Sequence, residues 1–216
     1  MDRAEPARRQ EPELSRQRPP PRRRPAPPPL RVLHVAAELY PYVKTGGLGD
    51  VAAALPPALG RIGVDARLVL PGFAGLLDAL RPAEIARLRT PFAAERVRLG
   101  RATLPDSRQP VYLVDHPAFY DRPGGPYAGP DGADWPDNHR RFALLSWVGA
   151  ALATGADPAW RPDIVHGHDW HAGLIAAYLR AAGAAVPCVF TVHNLAYQGV
   201  FRPSAFAELA LPASFF

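Results

Sequence analysis

The chain has 216 residues, 48% of them apolar, a single cysteine (Cys188) and a formal charge of +5 at pH 7. That is enough apolar surface for a buried core in one or two domains, and too little sulfur for a disulfide framework or a cysteine-built zinc module. The longest nearly apolar stretch, 144–156, is interrupted by Ser146, Thr154 and two glycines; it falls short of the roughly 20 residues that a membrane-crossing helix needs, which excludes an integral helical membrane protein.

The first segment in chain order explains the charge. Residues 1–30 hold eight arginines against four acids and nine of the 27 prolines, so this tail carries +4 and the rest of the chain only +1. The basic excess therefore is not a nucleic-acid surface on the folded part. The tail lacks an apolar stretch and is not expected to be a secretory signal. Residues 1–29 are expected to be a disordered Pro/Arg-rich arm, and a lone cysteine fits a cytoplasmic location.

Ordered structure is expected from Leu30. The run Leu30 to Ala37 reads as a buried strand, and Lys44-Thr-Gly-Gly-Leu-Gly-Asp50 as a glycine turn. An Ala/Leu-rich helix from Leu48 to Ile62 follows, with a kink or break expected at Pro56-Pro57 and Gly63 as its C-terminal cap. Val64 to Leu70 reads as the next strand, which makes a right-handed strand–helix–strand unit. A helix is expected over 76–89, a hairpin over 91–104, and a strand at Val111 to Asp115. Tyr120 to Pro136, with four glycines and four prolines, is too long for a plain connector and reads as a functional loop. Beyond it come a helix to Thr154, a strand at Asp163 to Gly167, a helix over 172–182, a strand over 186–192 and a short helix over 203–209. Alternating strands and helices predict an α/β, Rossmann-like, doubly wound parallel sheet.

In such sheets ligands bind at the carboxyl ends of the strands. Three unusual segments fall there: Lys44 to Gly47, His166-Gly-His-Asp-Trp-His171, and His193-Asn-Leu-Ala-Tyr-Gln-Gly199. Lys44 is the only lysine beside 24 arginines. A compact ammonium next to the backbone amides of Gly46 and Gly47, at a helix start, suits a diphosphate. The loop matches neither a Walker sequence nor the glycine spacing of dinucleotide folds. In the histidine segment the aspartate stands one place too early for the metal motif His-x-His-x-Asp-His, so no metal ligand is assigned. His193 and Asn194 offer hydrogen bonds to hydroxyls, and Tyr197 an aromatic face for a sugar. No Gly-x-Ser-x-Gly nucleophile elbow occurs.

Taken together, Lys44-Thr-Gly-Gly-Leu, Pro162 to His171 and Thr191 to Gly199, in that order, resemble the bacterial glycogen synthases and plant starch synthases. Tyr120-Asp-Arg-Pro and Asp137-Asn-x-x-Arg-Phe-Ala-Leu add to the likeness, which runs from Arg31 to Phe216. The resemblance implies a glycosyltransferase-B fold with its active site between two Rossmann-like domains. The implied activity transfers glucose from ADP-glucose to the nonreducing end of an α-1,4-glucan, such as glycogen, with retention. No cofactor, metal, nucleic acid or membrane partner is implied. By that resemblance Lys44, Gly46, Gly47 and Asp50 face the donor, His193 and Asp169 are catalytic, and Asn194 binds substrate. His171 is expected to bind substrate because it sits in a loop beyond a strand end. Residues 30–216 would be the N-terminal domain, left incomplete at Phe216 and inactive without the second. Gly49 departs from the family's usual alanine. Two alternatives stand beside this reading: a non-catalytic glucan-binding fragment, and a metal-dependent hydrolase built on the histidines.

Overall fold

The structure is a computed structural model that describes residues 27–92 and 94–216, so most of the Pro/Arg arm lies outside the described residues. Its centre is a seven-stranded sheet. The strands are β1 (Arg31–Val35), β2 (Asp65–Pro71), β3 (Ala83–Leu88), β4 (Val97–Thr103), β5 (Pro110–Asp115), β6 (Ile164–His168) and β7 (Cys188–Thr191), in the spatial order β3-β4-β5-β2-β1-β6-β7. The helices are α1 (Gly47–Arg61), α2 (Ala74–Leu80), α3 (Pro117–Tyr120), α4 (Asn138–Ala153) and α5 (Ile175–Ala181). No helix among the described residues is long and apolar enough to cross a membrane.

Period-two alternation decides which face each side chain joins. Leu33, Val35, Val69, Tyr112, Val114 and Val165 belong to one core, together with α4 and α5. Their neighbours Leu68, Leu70, Val111 and Leu113 pack on the other face against Leu48 and Ala52 of α1. The central strands are therefore buried on both sides and read as continuous apolar runs, as parallel strands under two helical layers must.

Four expectations from the sequence are corrected. The sheet is not wholly parallel: β3, β4 and β5 pair antiparallel at one edge, whereas β5, β2, β1, β6 and β7 are parallel. The region expected as a helix over 76–89 divides into α2 and β3, because Arg81 turns left-handed at φ 43° and Pro82 cannot continue a helix. The expected 91–104 hairpin is instead one strand, β4, whose turn connects it to β5. Finally, α1 passes through Pro56 and Pro57 unbroken. Only two amide donors are lost there, and burial of Leu48, Ala52 and Pro56 holds the helix along the sheet. Gly63 closes it at φ 90°, where its amide reaches Gly60 O and that of Val64 reaches Leu59 O, a Schellman arrangement that favours glycine.

The strand order also locates a crevice. From β1 the chain winds outward through β2 to β5, then returns to the other side of β1 with β6 and β7. The reversal lies between β1 and β6, which is where a doubly wound sheet opens a binding cleft.

Gly49, in the first turn of α1, has a compact environment that still admits a methyl group. A Cβ there would meet Tyr40 N and Val43 O at 3.4 Å and Glu38 Oε2 at 3.5 Å, ordinary contacts. Gly49→Ala is expected to raise stability by about 0.5–1 kcal/mol through lower unfolded-state entropy. Urea melts of the two chains check this, and a lower midpoint for the variant would refute it.

Candidate functional site

The parallel register aligns Val35 with Gly167 and His168 with Thr191. The loops that follow β1, β6 and β7 therefore leave the same edge of the sheet. They bring together the glycine turn, Asp169 and the His193-Asn194 segment, as the position of the reversal requires.

The glycine turn is held from below by Glu38, a residue the sequence reading passed over. It lies just beyond β1 and is only 4% exposed. Its Oε2 accepts the amides of Thr45 at 2.8 Å and Gly46 at 3.1 Å, and its Oε1 accepts the Tyr127 hydroxyl at 2.6 Å. One buried carboxylate thus shapes the turn and ties it to the long 121–137 loop. The Gly46 amide is spent on this contact, so it is not a free donor toward the cleft. Gly47, as the first residue of α1, carries one of the amides that a helix start leaves without an intrahelical partner. Lys44 and Asp50 are both exposed and form a bidentate pair, with Nζ 2.8 and 2.7 Å from the two carboxylate oxygens. An ammonium has three donors, so this geometry leaves one for a ligand.

Asp169 ends β6 with φ 56° and ψ 178°, a backbone conformation that costs a non-glycine residue about 1–3 kcal/mol. The strain is stabilised by two ties to the β7 side. The Asp169 amide donates to Thr191 O at 2.9 Å, and its Oδ1 accepts the amides of His193 at 2.8 Å and Asn194 at 3.4 Å. The carboxylate therefore sets the path of the 193–194 segment. The loop closes at Gly199, whose φ is 62°; a Cβ there would stand 2.4 Å from the Trp170 ring, so only glycine fits.

His171 does not reach the rim. It is 5% exposed, stacks on Tyr127 at 4.6 Å and meets Phe142 edge to face at 4.7 Å. It supports Tyr127 from behind, and its place in the core argues against direct contact with a substrate. The indole of Trp170 lines a groove of about 640 Å³ with Phe201, Phe206 and Leu209. That groove touches Asp169 and Tyr197 but none of Lys44, Gly47, Asp50 or His193. The 193–201 segment over it exposes Leu195, Tyr197 and Val200.

Behind the rim stands a column of histidines on the α1 face. His34 of β1 lies opposite His166 of β6, and His168 follows two residues on. His34 Nδ1 is 3.1 Å from His168 Nε2, His168 Nδ1 is 3.0 Å from His193 Nε2, and His166 Nε2 is 2.7 Å from the Thr191 hydroxyl. Burial, with repulsion from neighbouring imidazoles, holds His34 down to about 3 and His168 to about 2, and burial alone holds His171 to about 3. All three are neutral near pH 7. His34, His166 and His168 lie close enough for one ligand atom of each to fall within 4.8 Å of the others. The short imidazole contacts nevertheless spend both nitrogens of His168, and one each of His34 and His166, on protein partners. A cation would have to break them.

The signals for the missed residues were faint. Glu38 is a lone acid at a strand end, and His34 a polar residue inside an apolar strand. Tyr127 lay in the loop already suspected of function, with nothing to distinguish it from its neighbours.

Two expectations follow from the histidines. Their folded pKa values are depressed below about 6.5, so their contribution is complete above that pH and is lost as pH falls toward 3. For each, the unfolded chain gains about 2 kcal/mol at pH 5. Urea midpoints measured from pH 7 to 5 should fall steeply, and His171→Phe should flatten the slope; an unchanged midpoint would refute this. Zinc titrated into the apo chain at pH 7.5 should give no stoichiometric heat, and tight one-to-one binding would contradict the spent-nitrogen account.

Residues 31–216 match the family model of the starch synthase catalytic domain. The glycogen synthase of Francisella philomiragia is 49% identical over 192 residues, covering 86% of this chain and 40% of that protein. The glycogen synthase of Francisella tularensis subsp. novicida is 48% identical over the same length, covering 39% of that protein. Among solved structures, the catalytic domain of starch synthase IV from Arabidopsis thaliana, bound to ADP and acarbose, is similar at 29% identity with a TM-score of 0.65. The match covers 87% of this chain and 38% of that one. The chain thus spans about two fifths of the length of the relatives it matches.

Proposed function

The chain belongs to the starch synthase catalytic domain family, and on that premise we propose that it forms the N-terminal, donor-facing part of a cytoplasmic ADP-glucose-dependent glucosyltransferase of glycogen synthesis. The family is one of glycosyltransferases with a glycosyltransferase-B fold, and the α/β sheet described above is of that kind. In this reading residues 30–216 are its first Rossmann-like domain. Transfer goes to the nonreducing end of an α-1,4-glucan, with retention of configuration.

The observation that carries the reading is the convergence of Lys44, the start of α1 and the hydrogen-bonded Asp169–His193 pair on one rim, at the reversal of strand order. As the bond between glucose and diphosphate breaks, negative charge grows on the diphosphate. The third donor of Lys44 and the amides at the start of α1, Gly47 foremost, are suited to hold that charge. Asp50 keeps the ammonium in place at 2.7 Å. On the sugar side, Asp169 fixes the His193 backbone, so that imidazole and the Asn194 carboxamide can meet hydroxyl groups. The negative charge of Asp169 also favours the positive charge that develops at the anomeric carbon. Gly46 enters this scheme as a turn residue, since its amide serves Glu38. His171 enters as support beneath Tyr127. No metal or other cofactor has a role in this scheme.

The test is a chimera that joins this chain to the C-terminal portion of the Francisella philomiragia glycogen synthase. It should incorporate glucose into glycogen from ADP-glucose, with the α configuration retained. Lys44→Ala removes one charge-assisted contact of about 1.5–3 kcal/mol, so kcat/KM should fall about 10- to 150-fold. The 216-residue chain alone should not transfer, because it spans about two fifths of its relatives' length and a glycosyltransferase-B cleft is closed by a second domain. A chimera that prefers another nucleotide, or Lys44→Ala with unchanged kinetics, would overturn the reading.

A further inference from the structure

The column of imidazoles behind the rim ends on His193 and begins on His34. His34 is 1% exposed, and its buried Nε2 has no hydrogen-bond partner among the described residues. Its Nδ1 meets His168 Nε2 at 3.1 Å, and His168 Nδ1 meets His193 Nε2 at 3.0 Å. His168 is also 1% exposed, so neither contact can be traded for water.

A neutral imidazole has one N–H and one bare nitrogen, so each contact needs a donor on one side and an acceptor on the other. His168 uses both nitrogens, and its two contacts must therefore run in the same direction. Either every proton points outward, from His34 Nδ1 to His168 and from His168 Nδ1 to His193, or every proton points inward. The inward arrangement would leave His34 with a buried N–H on Nε2 and nothing to receive it. The outward arrangement leaves only a bare nitrogen there, and orphaned buried donors are the rarer and costlier case.

We infer that His34 and His168 are positioning residues that fix the tautomer of His193, leaving its Nε2 as an acceptor and its Nδ1 as an N–H donor. Among the described residues His193 Nδ1 has no side-chain partner, and the ring is half-buried, so this N–H is available to a ligand oxygen. The group so prepared is a hydrogen-bond donor, suited to the lone pair of a sugar hydroxyl. Burial keeps His34 near 3 and His168 near 2, so both are neutral at working pH and the direction of the relay does not scramble. The same carboxylate, Asp169, that holds the His193 amide at 2.8 Å fixes the backbone while the relay fixes the ring. The inference rests on the reading of His193 as a sugar contact, but the tautomer itself can be measured without any ligand.

The experiment is a long-range proton–nitrogen correlation spectrum of the 216-residue chain labelled with 15N-histidine, at pH 7.5. His34, His168 and His193 are expected in a single form each, with Nδ1 in the pyrrole-type range and Nε2 in the pyridine-type range. His168→Phe keeps an aromatic ring of similar size and removes both contacts, so His193 should become a mixture of tautomers. His34→Phe never touches His193, yet it frees His168 to reverse, and the His193 spectrum should move again. An Nε2–H form of His193 in the unmodified chain would overturn the inference. So would a His193 spectrum unmoved by both variants in folded protein. If the variants fail to fold, the spectrum of the unmodified chain decides alone. A chimera that transferred no glucose would defeat the functional reading and leave the tautomer result intact.

Discussion

The parallel pairing of β1 with β6 is the constraint on which the site depends. It places His34 opposite His166 and Val35 opposite Gly167, and so it sends the loops after both strands over the same edge. The return of the chain to this side of β1, after β2 and β5 have been laid on the other, opens the crevice between those loops. A slip of one residue in this pairing would turn the histidine column toward the α4 face and bring apolar side chains into its place. The apolar alternation on the central strands opposes such a slip, because Leu33, Val35 and Val165 must remain in the core under α4 and α5.

Around that pairing, buried polar groups do the shaping. Glu38 gathers the Thr45 and Gly46 amides and the Tyr127 hydroxyl, which fastens the glycine turn to the long loop. Asp169 does the same across β6 and β7, and tolerates a left-handed backbone to do so. The opposite end of the sheet has its own knot, which is structural. Tyr112 donates to Asp157 at 2.7 Å and accepts from Arg67 at 2.8 Å, and Arg67 lies over Trp160 at 4.3 Å. Burial and the Asp157 contact push the Tyr112 hydroxyl far above the usual phenol range. A buried carboxylate that kept only one partner would be costly, so such groups specify a conformation as much as they stabilise it.

The division of labour at the rim follows from exposure. Lys44 and Asp50 are roughly half-exposed and free to exchange partners, as groups that meet a charged ligand should be. Glu38, His34, His168 and His171 are sealed from water and act by holding others. His171 illustrates the difference. Its neighbour Asp169 turns back toward β7, while the short helical turn Trp170–Ala172 carries His171 inward against Tyr127 and Phe142.

Much of this was legible in the amino-acid order. Strand and helix positions in the central region follow from apolar periodicity, and the segments that reach the rim follow from the rule that strand ends carry ligands. The lone lysine, the glycine turn and the two histidine-bearing segments are local patterns, and they carried the family resemblance as well. What local pattern could not decide was pairing and direction. The antiparallel edge of β3 to β5 depends on which strand finds which neighbour, and the unbroken α1 on burial that outweighs two missing donors. Nor could it tell that the Gly46 amide would turn to Glu38, that His171 would face the core, or that His34 would line up behind His193 from 159 residues away in the chain. These depend on contacts between distant segments. Periodicity reports how a residue sits in its own strand or helix, whereas only the packed sheet determines which other residues it meets.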